Sequence, residues 1–422
     1  MTGWLKFLLI VLVVVGVAAG IVFGTLYLLR PSSRGTTVPT PQPTPTPTIP
    51  PGEDVSEASL ASILFSSPLP AIDGFAKYKA EFLSSAGSVI NFVLIGQGSR
   101  TAFYIAETGN GTFVGPFEFN PESVANSTTL SGTTFDNRMI AYQNTPTGRF
   151  YTCDVIVVSR EFQCQPVTWP VGSQIDKRIN FTASWQGVSP EVVFSFEANG
   201  VGTLSFTAQS LSANFPLLRQ EVSDLNPPVE DAVIHMCGSQ DQTFQTLAWT
   251  GRFSNAVFYV TLANTSTPGT IHRIRGEINE SVVFADMTHD GRGLVVLSNR
   301  RLRTFVRQSQ NDGDVVFQAV DAVSFPSDLS PTRCAVERRS PALSTTRWCV
   351  VGSGEAVVRL FALDQDFRIV PERSRRFSSP ILINTQGAAL VHAVPDTPDT
   401  LLLVATDTGG RSQAWIVDTS GF

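Results

Sequence analysis

The chain has 422 residues, with 30 Lys and Arg against 36 Asp and Glu for a net charge of -6. A hydrophobic share of 42% excludes a disordered chain, and Gly 32 with Pro 27 excludes a collagen-like one. The acidic balance argues against a dedicated nucleic-acid binder, which carries a basic footprint.

Residues 1–6 read as a short cytoplasmic tail. From Phe7 to Leu29 runs FLLIVLVVVGVAAGIVFGTLYLL, which holds no charge. A helix of that length reaches roughly 34 Å, enough to cross a hydrocarbon core of about 30 Å. The rival reading is a cleaved signal peptide, with Ala18-Ala19-Gly20 as the small residues. A signal's apolar region is usually about 7–15 residues, however, and here apolar sequence resumes at Ile21-Val22-Phe23. Residues 7–29 are therefore expected to be an uncleaved transmembrane signal-anchor helix. Lys6 with the N-terminal amine on one side, and Arg30 with Arg34 on the other, leave the positive-inside count tied. The chain beyond Arg30 looks extracytoplasmic, which gives single-pass type II topology.

Residues 30–53 form a Thr/Pro-rich stalk. Pro31 to Gly52 reads PSSRGTTVPTPQPTPTPTIPPG. Proline lacks the amide donor and fixes φ, so neither a helix nor a sheet ladder can form. A semi-rigid, polyproline-like spacer is expected, of a composition also seen in O-glycosylated stalks.

In residues 54–422, short β-rich runs alternate with Gly, Asn, Asp and Ser turns, the pattern of an all-β fold. A unit of apolar strand, polar turn and second apolar strand recurs seven times, beginning at Ile90, Met139, Val192, Leu247, Gly293, Trp348 and Leu402. The spacings are 49, 53, 55, 46, 55 and 54 residues. Placing an inner strand a before each pair, b and c, and an outer strand d after it gives four strands per unit. Radial repetition of such units is a seven-bladed β-propeller. A two-sandwich fold is the alternative. The seventh unit stops at Ser420-Gly421-Phe422 without a fourth strand, while Ala58 to Ser67 offers a spare one before the first unit. That segment is expected to close the ring and cover the last edge.

Thr134-Phe135-Asp136-Asn137-Arg138 and Thr288-His289-Asp290-Gly291-Arg292 repeat a T-x-D-N/G-R pattern three periods apart. This turn resembles the S/T-P-D-G-R turn between the first two strands of TolB-like propeller repeats. The resemblance implies the fold and carries no function. Asp can accept bonds from its own turn, and Asn or Gly tolerates positive φ.

The strand map puts Cys153 on strand c and Cys164 on strand d of the second blade, and Cys334 on a and Cys349 on b of the sixth. Two intra-blade disulfides are expected, and with them an oxidising compartment. Cys237 has no evident partner and reads as a small buried apolar residue. Sequons occur at Asn110, Asn126, Asn180, Asn264 and Asn279, most of them mapping to inter-strand loops.

Candidate chemistry is sparse. His235, His392 and His289 fall on or near inner strands, and with His272 they make up all four histidines. No H-x-H or HExxH spacing occurs, so no metal is assigned. The sialidase-type S/T-x-D-x-G-x-T-W turn is absent, as are GxSxG, a P-loop and a dinucleotide fingerprint. No catalytic residue and no cofactor are assigned.

Charge is more informative. Between Arg252 and Arg376 lie 17 Arg against 13 acidic residues, whereas the remainder of the chain nets -10. Arg300, Arg301 and Arg303, the Arg338-Arg339 pair, and Arg373 to Arg376 are locally dense. Guanidinium forks suit carboxylate, sulfate or phosphate, so Arg300, Arg301, Arg303 and Arg376 are the candidate ligand-binding residues. The bland reading is a solvated mixed-charge surface. The layout resembles that of viral attachment glycoproteins with type II topology. The expected function is surface recognition or attachment, at a cell surface, virion envelope or secretory membrane, with an anionic glycan or acidic protein as partner. A membrane-tethered hydrolase or lyase acting on glycans, or a bacterial envelope scaffold, are the alternatives.

Overall fold

A computed structural model describes the strands and their tighter turns from Val55 to Phe422. Residues 1–54 and the longer connections, among them 120–129, 168–178, 209–217, 222–232, 263–270, 338–344 and 384–388, lie outside the described residues. The expected anchor and stalk fall in that excluded part. Among the described residues no helix is long and apolar enough to cross a membrane.

The described secondary structure is all β, arranged as seven sheets. Five sheets are four consecutive antiparallel strands, in residues 76–119, 130–167, 179–221, 233–275 and 282–324. Each predicted strand pair is recovered as strands b and c of its sheet, flanked by a first strand a and a last strand d. The reason is local: in blades five to seven, strand b is buried along nearly its whole length, as in Gly293–Ser298 and Thr400–Thr406. A strand sandwiched between two neighbouring sheets needs apolar residues on both faces, so it reads as a continuous apolar run.

The sheets form a closed ring. Strands a of successive blades touch in order, and strand a of the seventh, Ala389–Ala393, meets strand a of the first, Ala76–Ala86. The architecture is therefore a seven-bladed β-propeller. Among the described residues, apolar clusters lie between neighbouring blades. Phe82, Phe92 and Tyr104 of the first pack with Leu402 and Ile416 of the seventh. Val351, Phe361 and Ile369 of the sixth pack with Phe284, Val295 and Leu302 of the fifth.

Closure uses the chain's earlier segment, as expected. Strand d of the seventh blade is Ile63–Leu69, antiparallel to strand c, Ser412–Asp418, with Ser67 opposite Ala414. A further two residues, Ser56 and Glu57, add in parallel to the outer edge of blade six, opposite Arg375 and Arg376. Because the strands of a blade alternate in direction, strands b and d end at one end of the blade, here the lower, and strands a and c end at the upper.

The cysteines separate the two disulfide expectations. Cys153 and Cys164 stand directly opposite on strands c and d of blade two and are bonded. Cys334 and Cys349 are not: both remain buried thiols. The register explains this, because Cys334 faces Val351 and Cys349 faces Val336, leaving the sulfurs on a diagonal. Diagonal Cβ atoms stand roughly 7–8 Å apart, beyond the roughly 4 Å a disulfide needs. Cys237 falls on strand a of blade four, Val233–Gly238. Asn110 lies exposed in the c–d turn of blade one, and Asn180 near the start of strand a of blade three, Ile179–Gln186. Asn126, Asn264 and Asn279 lie outside the described residues.

Candidate binding site

The basic sector occupies blades five and six, and its arginines have different fates. Arg300 is exposed at the lower end, in the turn joining strand b of blade five to strand c, Arg301–Ser309. That turn is rigid. Ser298 Oγ accepts the amides of Arg300 and Arg301 at 3.2 and 3.0 Å, and Asn299 Oδ1 accepts the Ser281 amide at 2.9 Å. Arg301 pairs with the carboxylate of Glu280, which is buried.

Arg303 does not belong to a ligand surface. It is only 8% exposed, donates from Nη2 to the Arg275 carbonyl of blade four at 3.1 Å, and lies over the Phe305 ring. Its guanidinium ties two blades together.

Arg376 is exposed on strand d of blade six, Ile369–Ser378, near the same lower end. The run around it also fastens two distant parts of the chain. Ser374 carbonyl accepts Ser56 Oγ, and Arg376 pairs in register with Glu57. Arg373 Nε donates to the Phe422 carbonyl at 3.3 Å, while Arg375 lies over the Phe422 ring. Part of what reads in sequence as a basic patch is thus a clasp on the outer strand. Arg338 and Arg339 lie outside the described residues.

At the upper end, the T-H-D-G-R turn of blade five forms as its residues dictate. Thr288 Oγ1 donates to Asp290 Oδ1 at 2.6 Å, the Arg292 amide does so at 3.0 Å, and Gly291 takes φ 61°. Arg347 of blade six reaches Asp290 Oδ2 at 3.6 Å and lies over the Phe367 ring. In blade two the matching turn joins Leu130–Phe135 to Arg138–Gln143; its Asp136 and Asn137 lie outside the described residues.

Buried acids join blade to blade. Asp286 Oδ2 of inner strand Val282–Met287 accepts the Val336 amide of inner strand Pro331–Val336 at 2.9 Å. Asp321 Oδ2 does the same for the Ile369 amide at 2.9 Å. Glu337 accepts the Trp348 amide at 3.2 Å. Burial pushes its carboxyl up to about 8, against the pull of Arg347 and the Trp348 and Ala393 amides. Arg333 lies over Phe284 of the neighbouring blade at 4.3 Å, and burial lowers its pKa to about 10. Sequence reasoning passed over these residues, although a lone acid inside an apolar run such as VVFADM is a visible signal for an internal bridge.

The histidines are dispersed. His392 stacks on Phe82 of blade one at 3.7 Å, His272 stacks on Tyr259 at 5.0 Å, and His289 is half-buried in the upper turn of blade five. Among the described residues no group of three His, Cys, Asp or Glu could hold a metal ion.

No protein family and no characterised protein matches the chain in sequence. Its fold does have likenesses. YCF48 from Cyanidioschyzon merolae superposes with a TM-score of 0.51 at 11% identity, over 83% of this chain and 98% of that one. The Cps50 (Swd1) β-propeller domain of Myceliophteria thermophila gives 0.51 at 11%, over 83% and 99%. Kuenenia stuttgartiensis hydrazine synthase gives 0.50 at 10%, over 83% and 97%. At such identities the likeness is one of fold.

Proposed function

We propose that this propeller is a recognition head, held at a membrane by residues 7–29, spaced from it by residues 30–53, and binding an anionic glycan or acidic protein. The observation that carries the reading is Arg300. A long cation is held out on a hydrogen-bonded turn, at the end of the sector where Arg376 is also exposed, within a stretch of 17 Arg against 13 acids. A rigid turn lowers the ordering cost of binding, and guanidinium forks match sulfate, carboxylate and phosphate. The bonded Cys153–Cys164 pair supports an oxidising compartment, and exposed Asn110 supports access for a glycan.

The test is binding of the full-length chain to neutral, sialylated and sulfated glycans at low and physiological salt. Salt-sensitive binding to the anionic members, lost on changing Arg300 and Arg376 to Ser, is the expected result. Silence across the array, or binding untouched by both substitutions, sinks the assignment to this sector.

A further inference from the structure

We propose that Asn110 is the attachment site of an N-linked glycan, and that this glycan shields the apolar rim where blade one meets blades seven and two. The proposal rests on the extracytoplasmic placement of the head and is independent of the basic sector. Asn110, Gly111 and Thr112 lead from strand c of blade one, Thr101–Glu107, into strand d, Thr112–Phe119. Asn110 and Thr112 are both exposed, at the upper end of the blade. The turn is well defined: Asn110 Oδ1 accepts the Thr112 amide at 3.1 Å, and Gly111 takes φ 67°.

Asn110 Nδ2 donates to Glu107 Oε2 at 2.8 Å, which uses one of its two hydrogens. The other is the one a sugar replaces. Nδ2 bonds to C1 of a lipid-pyrophosphate-linked oligosaccharide, the C1–O bond to the pyrophosphate breaks, and Nδ2 loses a proton to solvent as the lipid pyrophosphate leaves. The folded turn therefore carries the linkage without giving up a hydrogen bond. The bonded Cys153–Cys164 pair on the neighbouring blade fits the oxidising compartment in which such transfer takes place.

What the glycan covers follows from its neighbours. Among the described residues, the large apolar side chains left exposed are Leu64 at 47% and Val158 at 96%. Both lie on elements packed against blade one. Leu64 belongs to the ring-closing strand Ile63–Leu69, and the ring of the next residue, Phe65, lies where a Gly111 Cβ would stand. The turn carrying Asn110 thus rests on that strand. Val158 stands in the c–d turn of blade two, whose Arg160 lies over the Phe117 ring of blade one, 5.3 Å from its centroid. The closing strand is also the outer edge of blade seven, and an exposed edge with apolar side chains invites pairing with another molecule. A bulky, hydrated oligosaccharide rooted beside it opposes that association.

The full-length chain is expressed in a eukaryotic cell line that N-glycosylates its surface proteins, and labelling of intact cells reads whether the head is outside. A head that never reaches the surface overturns the extracytoplasmic reading, and this site with it. On chain delivered to the surface, amidase release of N-glycans in heavy-oxygen water converts an occupied Asn110 to Asp bearing one heavy oxygen, read by mass spectrometry. Occupancy of Asn110, abolished by Thr112→Ala, is expected. An unmodified Asn110 on surface-delivered chain overturns the site. Shielding is read separately, by labelling Leu64→Cys and Val158→Cys on intact cells with a maleimide on a large polymer. Adding Asn110→Gln is expected to raise the labelling rate several-fold at either position, while a small maleimide reacts equally in both backgrounds. Equal rates with the large reagent at both positions overturn the shielding. Enzymatic removal of the glycan supplies the same comparison if Asn110→Gln does not fold.

Discussion

Arg300 and Arg303 stand three residues apart on one hairpin, one exposed and one inside. Burial decides what each substitution does. Arg303→Ser removes the donor to the Arg275 carbonyl and the packing on Phe305, and is expected to cost about 2–3 kcal/mol in urea melts. Arg300→Ser is expected to stay within about 0.5 kcal/mol, as surface changes do. Equal costs would remove Arg303 from its inter-blade role. Glu337 gives the pH prediction. Its carboxyl keeps its proton up to about 8 in the folded chain, whereas the ordinary value is 4.5. Between those values the unfolded chain releases a proton that the folded chain retains. Stability from this group is therefore full below about 4.5 and lost as pH rises through about 8. Glu337→Gln should flatten the fall by about 2–4 kcal/mol between pH 4.5 and 8.5. A variant whose pH profile parallels that of wild type would contradict the assignment.

At the scale of elements, the hairpin carrying Gly293 and the c–d turn of blade six are fitted to each other. Phe367 sits at φ 63° with its ring against Gly293, where an added Cβ would overlap the ring. Gly293→Ala is expected to cost about 1–3 kcal/mol, and much less in a Phe367→Ala background, a coupling a double-mutant cycle reads directly. Additive costs would mean that the ring is not what the methyl group meets. Cys153→Ser should cost about 2–4 kcal/mol. Cys334 and Cys349 should react with a thiol reagent in the unfolded, unreduced chain, and failure to do so would restore the pairing read from sequence. That pairing illustrates where sequence reading stops. The strands were legible because each apolar run between two polar turns can only be a buried strand at this spacing. Register was not, since a bulge between Pro331 and Arg333 and a two-residue offset leave no mark in composition. The candidate site suffered likewise: Arg300 and Arg303 look alike in a string of letters, and alternation alone does not reveal which faces a neighbouring blade.

At the scale of the molecule, the ring is what makes local rigidity possible. Each blade has a neighbouring blade on either side through its inner strand, and the last edge is covered by the strand at Ile63–Leu69. Strand d of blade six then holds both Ser56–Glu57 and Phe422, bringing two remote parts of the chain to one outer strand. The proposed recognition role would draw on such a frame, because hydrogen-bonded turns need little ordering on binding. All of this depends on ring closure by the early strand, and a cross-link tests that closure most directly. Ser67 and Ala414 are direct partners across that pairing, so Ser67→Cys with Ala414→Cys places two thiols opposite each other. In a Cys237→Ser, Cys334→Ser and Cys349→Ser background, mild oxidation of the full-length chain should join the pair intramolecularly, with faster migration on non-reducing gels and a higher Tm. Absence of that bond in a folded chain, or its formation only between molecules, would contradict the closed ring.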